Sequence, residues 1–216
     1  MSAASDVYVI LEVGTKDAGN ASAQLDAVLA LAPVASVLVR AASGTALDAG
    51  IAKTITTAAQ KRGVAVLIES DANLARMIKA DGLHIPWSKD PLKSYREARD
   101  TLGAHAMIGV DVGRSRDDAM EAGEAGADYI AFGIPARVED RATAEGRQLE
   151  LANWWSEIFE IPCVAFDIAT PDHARALAEA GAEFITVAIS PDMSAADAAR
   201  HVAAFTAAIV LSEATA

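Results

Sequence analysis

Short apolar segments alternate with longer amphipathic segments along the whole chain. Eight runs rich in valine, isoleucine and leucine are nearly continuous in their apolar character, as is typical of parallel strands buried on both faces. The predicted strands are Val7–Leu11, Ser36–Val39, Val64–Ile68, Gly82–Ile85, Ala106–Val110, Tyr129–Phe132, Cys163–Phe166 and Phe184–Val187.

Segments with a helical spacing of alanine and leucine lie between these strands. Four residues have the character of helix N-caps: Asp90 and Thr170, each followed by proline, and Ser115 and Ser194, each followed three positions later by an acid. The predicted helices are Ala21–Ala32, Ala46–Arg62, Ala72–Lys79, Pro91–Leu102, Arg116–Gly126, Leu149–Phe159, Pro171–Ala180 and Ala195–Leu211.

This strict alternation predicts the α/β class and a single TIM (β/α)8 barrel domain over residues 1–216. An open, doubly wound sheet is the alternative, although the stretch Glu12–Thr15 after the first strand carries no glycine-rich dinucleotide fingerprint. A weak internal repeat supports the barrel. It joins a helix end, a small residue, an acid and a strand at Ala80–Ile85, Ala127–Phe132 and Ala182–Val187.

The longest irregular stretch is Gly133–Gly146, after the sixth strand, and it contains Arg137. Long polar loops at this end of a barrel are often lids or binding loops. An ordinary mobile surface loop is an equal alternative.

Composition restricts the function classes. The chain has 216 residues, is 52% hydrophobic and carries a formal net charge of −12, which disfavours nucleic acids and anionic membranes as partners. Its one cysteine, Cys163, allows neither an intrachain disulfide nor a cysteine-based metal site. No apolar run approaches the roughly 18 residues that span a bilayer, and we see no apolar signal segment, so we expect a cytoplasmic protein.

Acidic residues end alternate predicted strands. In a parallel barrel, function gathers at the carboxyl ends of the strands. We therefore expect one mouth that collects the polar strand-end residues, and a small-molecule ligand bound there. These residues are Glu12, Glu69, Asp111 and Asp167 after strands one, three, five and seven, together with Arg40, Ser70, His84 and Ser190.

Four carboxylates in one cavity repel one another unless they are protonated, neutralised by arginine or bound to a cation. The sequence therefore suggests a divalent metal site with Glu69 and Asp111 as ligands and His84 as a further candidate. Alternatively, several acids point outward or pair with Arg40, Arg76 or Arg114, and His84 is only a hydrogen-bonded structural residue.

We assign candidate roles on this basis. Catalytic candidates are Arg40, Glu69, His84 and Asp111, and substrate-binding candidates are Glu12, Asp167, Ser190 and Arg137.

Several segments, taken in order, resemble the thiamine phosphate synthase/TenI family. Ala80–Ile85 is similar to the family's A-D-G-V-H-L, and Ala125–Gly133 to its G-A-D-Y-V-G-F-G. Weaker similarities follow the same order at Val7–Ile10, Val37–Arg40, Met107–Val110 and Ile161–Ile168. The resemblance implies a barrel, usually a homodimer, that joins hydroxymethylpyrimidine diphosphate to thiazole phosphate with the help of Mg2+.

The residue-by-residue match fails at the positions where the family binds metal. The Asn-Asp pair falls at Glu69-Ser70, and the second metal-binding aspartate falls at Lys89. In the family's V-Q-L-R-E-K segment only the arginine is kept, as Arg40, while Leu38 and Ala42 replace the glutamine and the lysine. Mg2+ is thus implied by the resemblance but not supported by the residues present.

The family's remaining functional positions also differ. Its serine falls at Asp111, its phosphate-binding Gly-Gly at Phe166-Asp167, and the catalytic histidine of the TenI branch at Gly113. The threonine- and lysine-containing loop has no clear counterpart in Gly133–Gly146. We therefore expect no normal synthase activity. A synthase-like or repurposed enzyme with an acidic mouth and a non-catalytic binding or regulatory barrel both stay open.

Overall fold

The computed structural model describes residues 5–14, 18–134 and 140–213, with the side chains of residues 18 and 211–213 excepted. Strands and helices alternate strictly within these ranges. The elements are β1 Asp6–Val13, α1 Ala18–Leu31, β2 Ser36–Ala41, α2 Ala49–Gln60, β3 Ala65–Glu69, α3 Ala72–Ile78, β4 Gly82–Ile85, α4 Pro91–Leu102, β5 Met107–Asp111, α5 Arg116–Glu124, β6 Tyr129–Phe132, α6 Arg141–Ile158, β7 Cys163–Ala165, α7 Pro171–Glu179, β8 Phe184–Ile189 and α8 Ala195–Glu213.

The strands form one closed parallel barrel in the order β1 to β8. Closure is made by the pairing of β1 with both neighbours, since Val9 lies opposite Val37 of β2 and opposite Val187 of β8. This confirms the predicted (β/α)8 barrel and rules out the open, doubly wound sheet.

The two faces of each strand serve two different cores. On β1, Val7, Val9 and Leu11 face outward and belong to the large core between the sheet and the helices. Tyr8 and Ile10 face inward and belong to a smaller core inside the barrel. The two-residue period of a strand explains this division, and it turns the next even residue, Glu12, toward the barrel axis.

Aromatic side chains fill the inside of the barrel. The Tyr129 ring occupies the space beside Gly109, where an added Cβ would lie 1.8 Å from the ring. The Tyr8 ring meets the Tyr129 ring edge-on, with 6.2 Å between centroids. The interior is therefore a packed core below the mouth and not a channel.

The predicted N-caps are confirmed, and the predicted start of the sixth helix is wrong by eight residues. Asp90, Ser115, Thr170 and Ser194 each accept a hydrogen bond from the backbone N–H three residues on. Helix α6 begins at Arg141 after an unpredicted N-cap, Asp140, so the last six residues of the predicted loop Gly133–Gly146 are helical. Polar residues and a glycine in its first two turns hide this helix from the apolar pattern.

Acidic residues at the amino end of the barrel explain the internal repeat found in the sequence. Asp81, Asp128 and Glu183 immediately precede β4, β6 and β8, respectively. Each accepts a hydrogen bond from a backbone N–H at the start of the preceding odd-numbered strand, namely that of Val66 (2.7 Å), Ile108 (2.7 Å) or Cys163 (2.8 Å). We call these contacts the strand clasps. They satisfy amide groups that would otherwise be left without partners where the ladder begins.

No helix in the described part of the chain is both long and apolar enough to cross a membrane.

Candidate active site at the mouth of the barrel

Four carboxylates stand at the carboxyl end of the barrel, all from odd-numbered strands. Glu12, Glu69 and Asp111 lie in β1, β3 and β5, and Asp167 follows β7 by two residues. Barrel layers are typically filled by side chains from alternate strands, and the four acids come from alternate strands. We refer to these four residues as the mouth acids. The prediction that alternate strand ends deliver acids to one mouth agrees with this arrangement.

Arg40 of β2 stands between two of the mouth acids. Its Nε and Nη2 atoms donate to Glu12 Oε1 at 3.1 and 2.5 Å, and its Nη1 atom lies 3.9 Å from Glu69 Oε1. The side chains of all three residues are about one quarter exposed. The alternative to a metal site was that the acids pair with arginine residues. The structure supports this alternative for Glu12 and Glu69, which both contact Arg40. Arg76, another proposed partner, instead contacts Asn73.

Asp111 is the most deeply buried mouth acid, with 9% of its surface exposed. Its Oδ1 atom accepts a hydrogen bond from the Gly113 N–H at 2.7 Å. Burial raises the pKa of Asp111 to about 7, and the nearby charges of Asp167 and Glu69 act in the same direction. The Gly113 and Trp87 backbone N–H groups oppose this rise in pKa because they favour the charged form. Asp111 is thus an acid that exchanges a proton near neutral pH.

Asp167 occupies an unusual backbone conformation for a residue with a side chain, with φ of 60°. Its Oδ2 atom accepts a hydrogen bond from the Ile134 N–H at 3.0 Å, and its carbonyl oxygen accepts one from the Arg141 guanidinium. Aspartate tolerates the left-handed region better than most residues. The Ile134 N–H, two residues after β6, holds the Asp167 carboxylate, and Arg141 of α6 holds the Asp167 backbone.

Gly133 makes room for both of these carboxylates. A Cβ at this position would lie 2.9 Å from Asp111 Oδ2 and 3.0 Å from Asp167 Oδ2. Both distances are too short for carbon against oxygen, so a larger residue would displace one carboxylate. The sequence revealed the two acids but not their convergence, because that depends on how β6 passes between β5 and β7.

His84 lies inside the barrel beneath the mouth and is 1% exposed. Its Nδ1 atom lies 2.8 Å from the Tyr129 hydroxyl, and its ring stacks on Phe166 with 4.4 Å between centroids. Burial and the charge of Arg40 lower the pKa of His84 to about 3, so its ring is neutral at physiological pH. Sequence reasoning missed Tyr129 and Phe166 as its partners, since both look like ordinary strand residues.

One further candidate among the described residues lies outside this cluster. Ser190, half-buried after β8, accepts a hydrogen bond from the Asp192 N–H through its hydroxyl group and from Gln24 through its carbonyl oxygen. It therefore organises the loop that follows β8. Arg137 lies outside the described residues, so its predicted role in substrate binding stays a prediction.

Trp87 forms part of the rim of the mouth. It follows β4, is 57% exposed, and its indole lies over Gly113, where a Cβ would come within 2.8 Å of the ring. The rim therefore presents an open aromatic face close to Asp111.

The described residues of the mouth do not by themselves form a magnesium site. Among the described residues, no three histidine, cysteine, aspartate or glutamate side chains converge closely enough to hold a metal ion. Glu69 lies beside the Arg40 guanidinium, and Asp111 is engaged by a backbone N–H. Mg2+ prefers free carboxylate oxygens and water in octahedral geometry. The hypothesis that Glu69 and Asp111 bind a metal stays a prediction for metal analysis.

Comparison with known sequences points to one family. Residues 7–190 match the family described as thiamine monophosphate synthase. The thiamine-phosphate synthase of Erythrobacter litoralis is 48% identical over 126 residues, a match that covers 57% of this chain and 58% of the relative. That of Azoarcus sp. is 35% identical over 156 residues and covers 72% and 74%. The chain thus spans less than two thirds of the first relative.

Comparison with solved structures supports the fold. The thiamine phosphate pyrophosphorylase of Pyrococcus furiosus superimposes with a TM-score of 0.73 at 21% identity and covers 96% of both chains. A tryptophan synthase chain from Mycobacterium tuberculosis gives a TM-score of 0.72 at 12% identity, covering 95% of this chain and 93% of that one. At such identities the likeness concerns the barrel alone.

Proposed function

Since the chain belongs to the thiamine monophosphate synthase family, we propose that it is a member that binds a small molecule at the mouth acids and does not form thiamine phosphate at the rate of an ordinary synthase. One observation carries this proposal. The mouth of the barrel, where ligands of such barrels bind, holds four carboxylates, and the guanidinium of Arg40 is already engaged by Glu12 and contacts Glu69.

Phosphate binding in this architecture commonly uses the loops after strands seven and eight, where backbone N–H groups and a helix N-terminus meet the anion. In this chain the loop after β7 places the Asp167 carboxylate there, and that carboxylate accepts the Ile134 N–H. A phosphate group would face this carboxylate and that of Asp111, and the charges of Arg40 and Arg141 offset that of Asp167 only in part. Two phosphorylated substrates are therefore poor ligands for the mouth.

Ordinary synthase activity is the second candidate, and the relatives favour it. The matched proteins of Erythrobacter litoralis and Azoarcus carry the name thiamine-phosphate synthase. Under this alternative, substrates and Mg2+ would overcome the negative charge of the mouth, or other groups would supply what the replaced positions lack. The two candidates make opposite predictions for one assay.

The test measures Mg2+-dependent formation of thiamine phosphate from hydroxymethylpyrimidine diphosphate and thiazole phosphate, with an active synthase as the positive control. We expect a rate at least 100-fold below that control. A double variant, Asp111→Ser with Asp167→Gly, carries the family's residues at two mouth positions and serves as a matched comparison. A rate comparable to the control in the unchanged chain would refute the proposal.

Three associated expectations belong to the same proposal. We propose that the protein acts as a homodimer in the cytoplasm and that neither nucleic acids nor membranes are its partners, in line with its net charge of −12. Size-exclusion chromatography with light scattering tests the dimer, and a monomeric mass would refute it.

A further inference from the structure

We propose that His173 is a proton-sensitive switch for the mouth, and that the charge of its ring is transmitted through Glu145 and Arg141 to the backbone of Asp167. The inference rests on the proposed function only in that it takes the mouth as the binding site. The three residues that form the switch lie on α6 and α7, outside the mouth acids.

The first observation is a histidine that the fold buries without a partner. His173 lies in the first turn of α7, three residues after the N-cap Thr170, and its side chain is 5% exposed. Both ring nitrogens are sealed from solvent, and neither has a hydrogen-bond partner among the described residues. Buried polar groups are nearly always paired. The unused hydrogen-bonding capacity of this ring therefore favours a new contact when its charge changes.

The second observation is that His173 faces a carboxylate oxygen that an arginine already uses. The His173 Nδ1 atom lies 3.7 Å from Glu145 Oε1, which is too far for a hydrogen bond. The same oxygen accepts a hydrogen bond from Arg141 Nε at 2.9 Å. A positive charge on the ring would attract this oxygen and repel the Arg141 guanidinium. Protonation of His173 therefore weakens the contact between Glu145 and Arg141.

The third observation is that Arg141 connects this pair to the mouth. Its Nη2 atom donates to the carbonyl oxygen of Asp167. Asp167 has a φ of 60°, a conformation that residues with a side chain keep only when their surroundings hold them in it. Without the Arg141 contact the backbone can relax, and the carboxylate then moves relative to the Ile134 N–H that it accepts. A displaced guanidinium thus alters the position of a mouth acid.

The surroundings of His173 set the direction of the switch. Burial lowers the pKa of His173 below its ordinary 6.5, the charge of Glu145 acts to raise it, and the charge of Arg141 lowers it further. The ring is therefore neutral at pH 7 and takes up a proton only under more acidic conditions. The contact between Arg141 and Asp167 is intact while the ring is neutral and weakens as the pH falls.

The other elements packed against His173 bring no competing charge. Strands β7 and β8 contain no charged residue. The charged side chains of the two neighbouring helical segments form ion pairs of their own, Asp172 with Arg175 on α7 and Asp197 with Arg200 on α8. Among the described residues, Glu145 and Arg141 are thus the charged groups that respond to the ring.

NMR spectroscopy of the 13C- and 15N-labelled chain tests the switch without any ligand. A titration from pH 8 to the acid limit of the folded state follows the ring nitrogens of His173 and the carbonyl carbon of Asp167. We expect both signals to change with a common midpoint below pH 6.5, because Glu145 and Arg141 link them. A ring that stays neutral until the chain unfolds, or a carbonyl carbon that does not follow the ring, would overturn the inference.

Two variants of α6 separate transmission from a merely structural role. Arg141→Gln removes a charge that lowers the pKa of His173, so we expect the midpoint of the ring to rise and the linked change at Asp167 to disappear. Glu145→Gln removes the charge that raises this pKa, so we expect the midpoint to fall. Unchanged midpoints in both variants would show that the three side chains are not coupled.

A pair of histidine variants supplies the matched control. His173→Gln is expected to abolish the linked change at Asp167 and to leave the separate titration of the Asp167 carboxyl in place. His201→Gln on α8 changes another histidine whose pKa is lowered by burial, and we expect the linked change to persist. The dispersion of the amide spectrum confirms that each variant is folded. Loss of the linked change in both variants, or in neither, would contradict the switch.

The outcome is separable from that of the synthase assay. An Asp167 carbonyl carbon that does not follow His173 would remove the switch and leave the proposed function standing. Formation of thiamine phosphate at the rate of the control would remove the proposed function itself, whatever the titration of His173 shows.

Discussion

The Oδ2 atoms of Asp111 and Asp167 converge on the same place above Gly133, at 2.9 and 3.0 Å from the position of an added Cβ. Asp111 lies at the end of β5 and Asp167 follows β7, so β6 separates their strands. The two carboxylates can approach each other because the residue between them, Gly133, has no side chain. Four expectations follow, three from the mouth and the residues beneath it and one from the strand clasps at the other end of the barrel.

Replacement of Asp111 by asparagine is expected to stabilise the protein above neutral pH. Burial raises the pKa of Asp111 from its ordinary 3.8 to about 7. Between these values the folded chain keeps a proton that the unfolded chain releases, so this group lowers the free energy of unfolding as pH rises from about 4 to about 7. At pH 8 we expect Asp111→Asn to gain about 1–3 kcal/mol.

Urea unfolding of both proteins at pH 4, 6 and 8 measures this effect. We expect the smallest difference at pH 4, where the folded Asp111 is protonated and the unfolded carboxyl is only about half protonated. Asp167 and Glu69 remain in the variant, and their own titration affects both curves. A difference that does not change with pH would show that Asp111 does not titrate in this range.

Gly133→Ala is expected to destabilise the barrel by about 1–3 kcal/mol, because the new methyl group meets two anchored carboxylates. Thermal unfolding of the single variant and of the double variant Gly133→Ala, Asp111→Ala provides the test. The double variant has space for the methyl group, so its loss is expected to be smaller than the sum of the two single losses. If the loss in the double variant equals the sum of the two single losses, the Asp111 carboxylate does not lie close enough to Gly133 to meet the new methyl group.

Asp128→Ala is expected to cost about 2–3 kcal/mol of stability. This substitution removes the acceptor for the Ile108 N–H at 2.7 Å and for Arg99 at 2.6 Å. Asp100→Ala on the exposed face of α4 is the matched control, and we expect less than about 0.5 kcal/mol there. Chemical denaturation measures both. Equal, small losses would mean that the strand clasps contribute little to closing the barrel.

Tyr129→Phe is expected to alter the state of the His84 ring as well as stability. The substitution leaves Nδ1 of His84 without its partner at 2.8 Å and removes the 3.3 Å contact with the Tyr8 hydroxyl. We expect a loss of about 1–2 kcal/mol and changed ring-nitrogen chemical shifts in 15N NMR.

Tyr95→Phe provides the control for this experiment, since the Tyr95 hydroxyl accepts only a 3.3 Å contact from Arg99 on the outer layer. The His84 spectrum should not change in that variant. In the unchanged protein, the lowered pKa of His84 predicts a neutral ring from pH 5 to pH 8. A titration of this ring near pH 6.5 would contradict the assignment.

The barrel could be predicted from the chain because each of its signals is local. Apolar runs such as Val7–Leu11 need only their own residues to indicate a buried strand, and the N-caps Ser115 and Thr170 need only their neighbours. The start of α6 was predicted too late because Arg141–Gly146 carries no apolar stripe, so only Asp140 marks the beginning of the helix.

The sequence predicts which residues lie at the mouth but not which of them contact one another. The strand-end rule placed Glu12, Glu69, Asp111 and Asp167 at one end of the barrel. Which of these acids meets Arg40 depends on strand register, which brings Arg40 opposite Glu12. The convergence above Gly133 depends on three separate strands, and no short stretch of sequence records it.

The strand clasps at the amino end have a consequence for how such a protein can change over time. Asp81, Asp128 and Glu183 close the base of the barrel through contacts that involve none of the mouth acids. Substitutions of the mouth acids can therefore accumulate while these contacts keep the base of the barrel closed. A lineage built in this way can exchange one ligand for another and still be recognised by its sequence as kin of the ancestral enzyme.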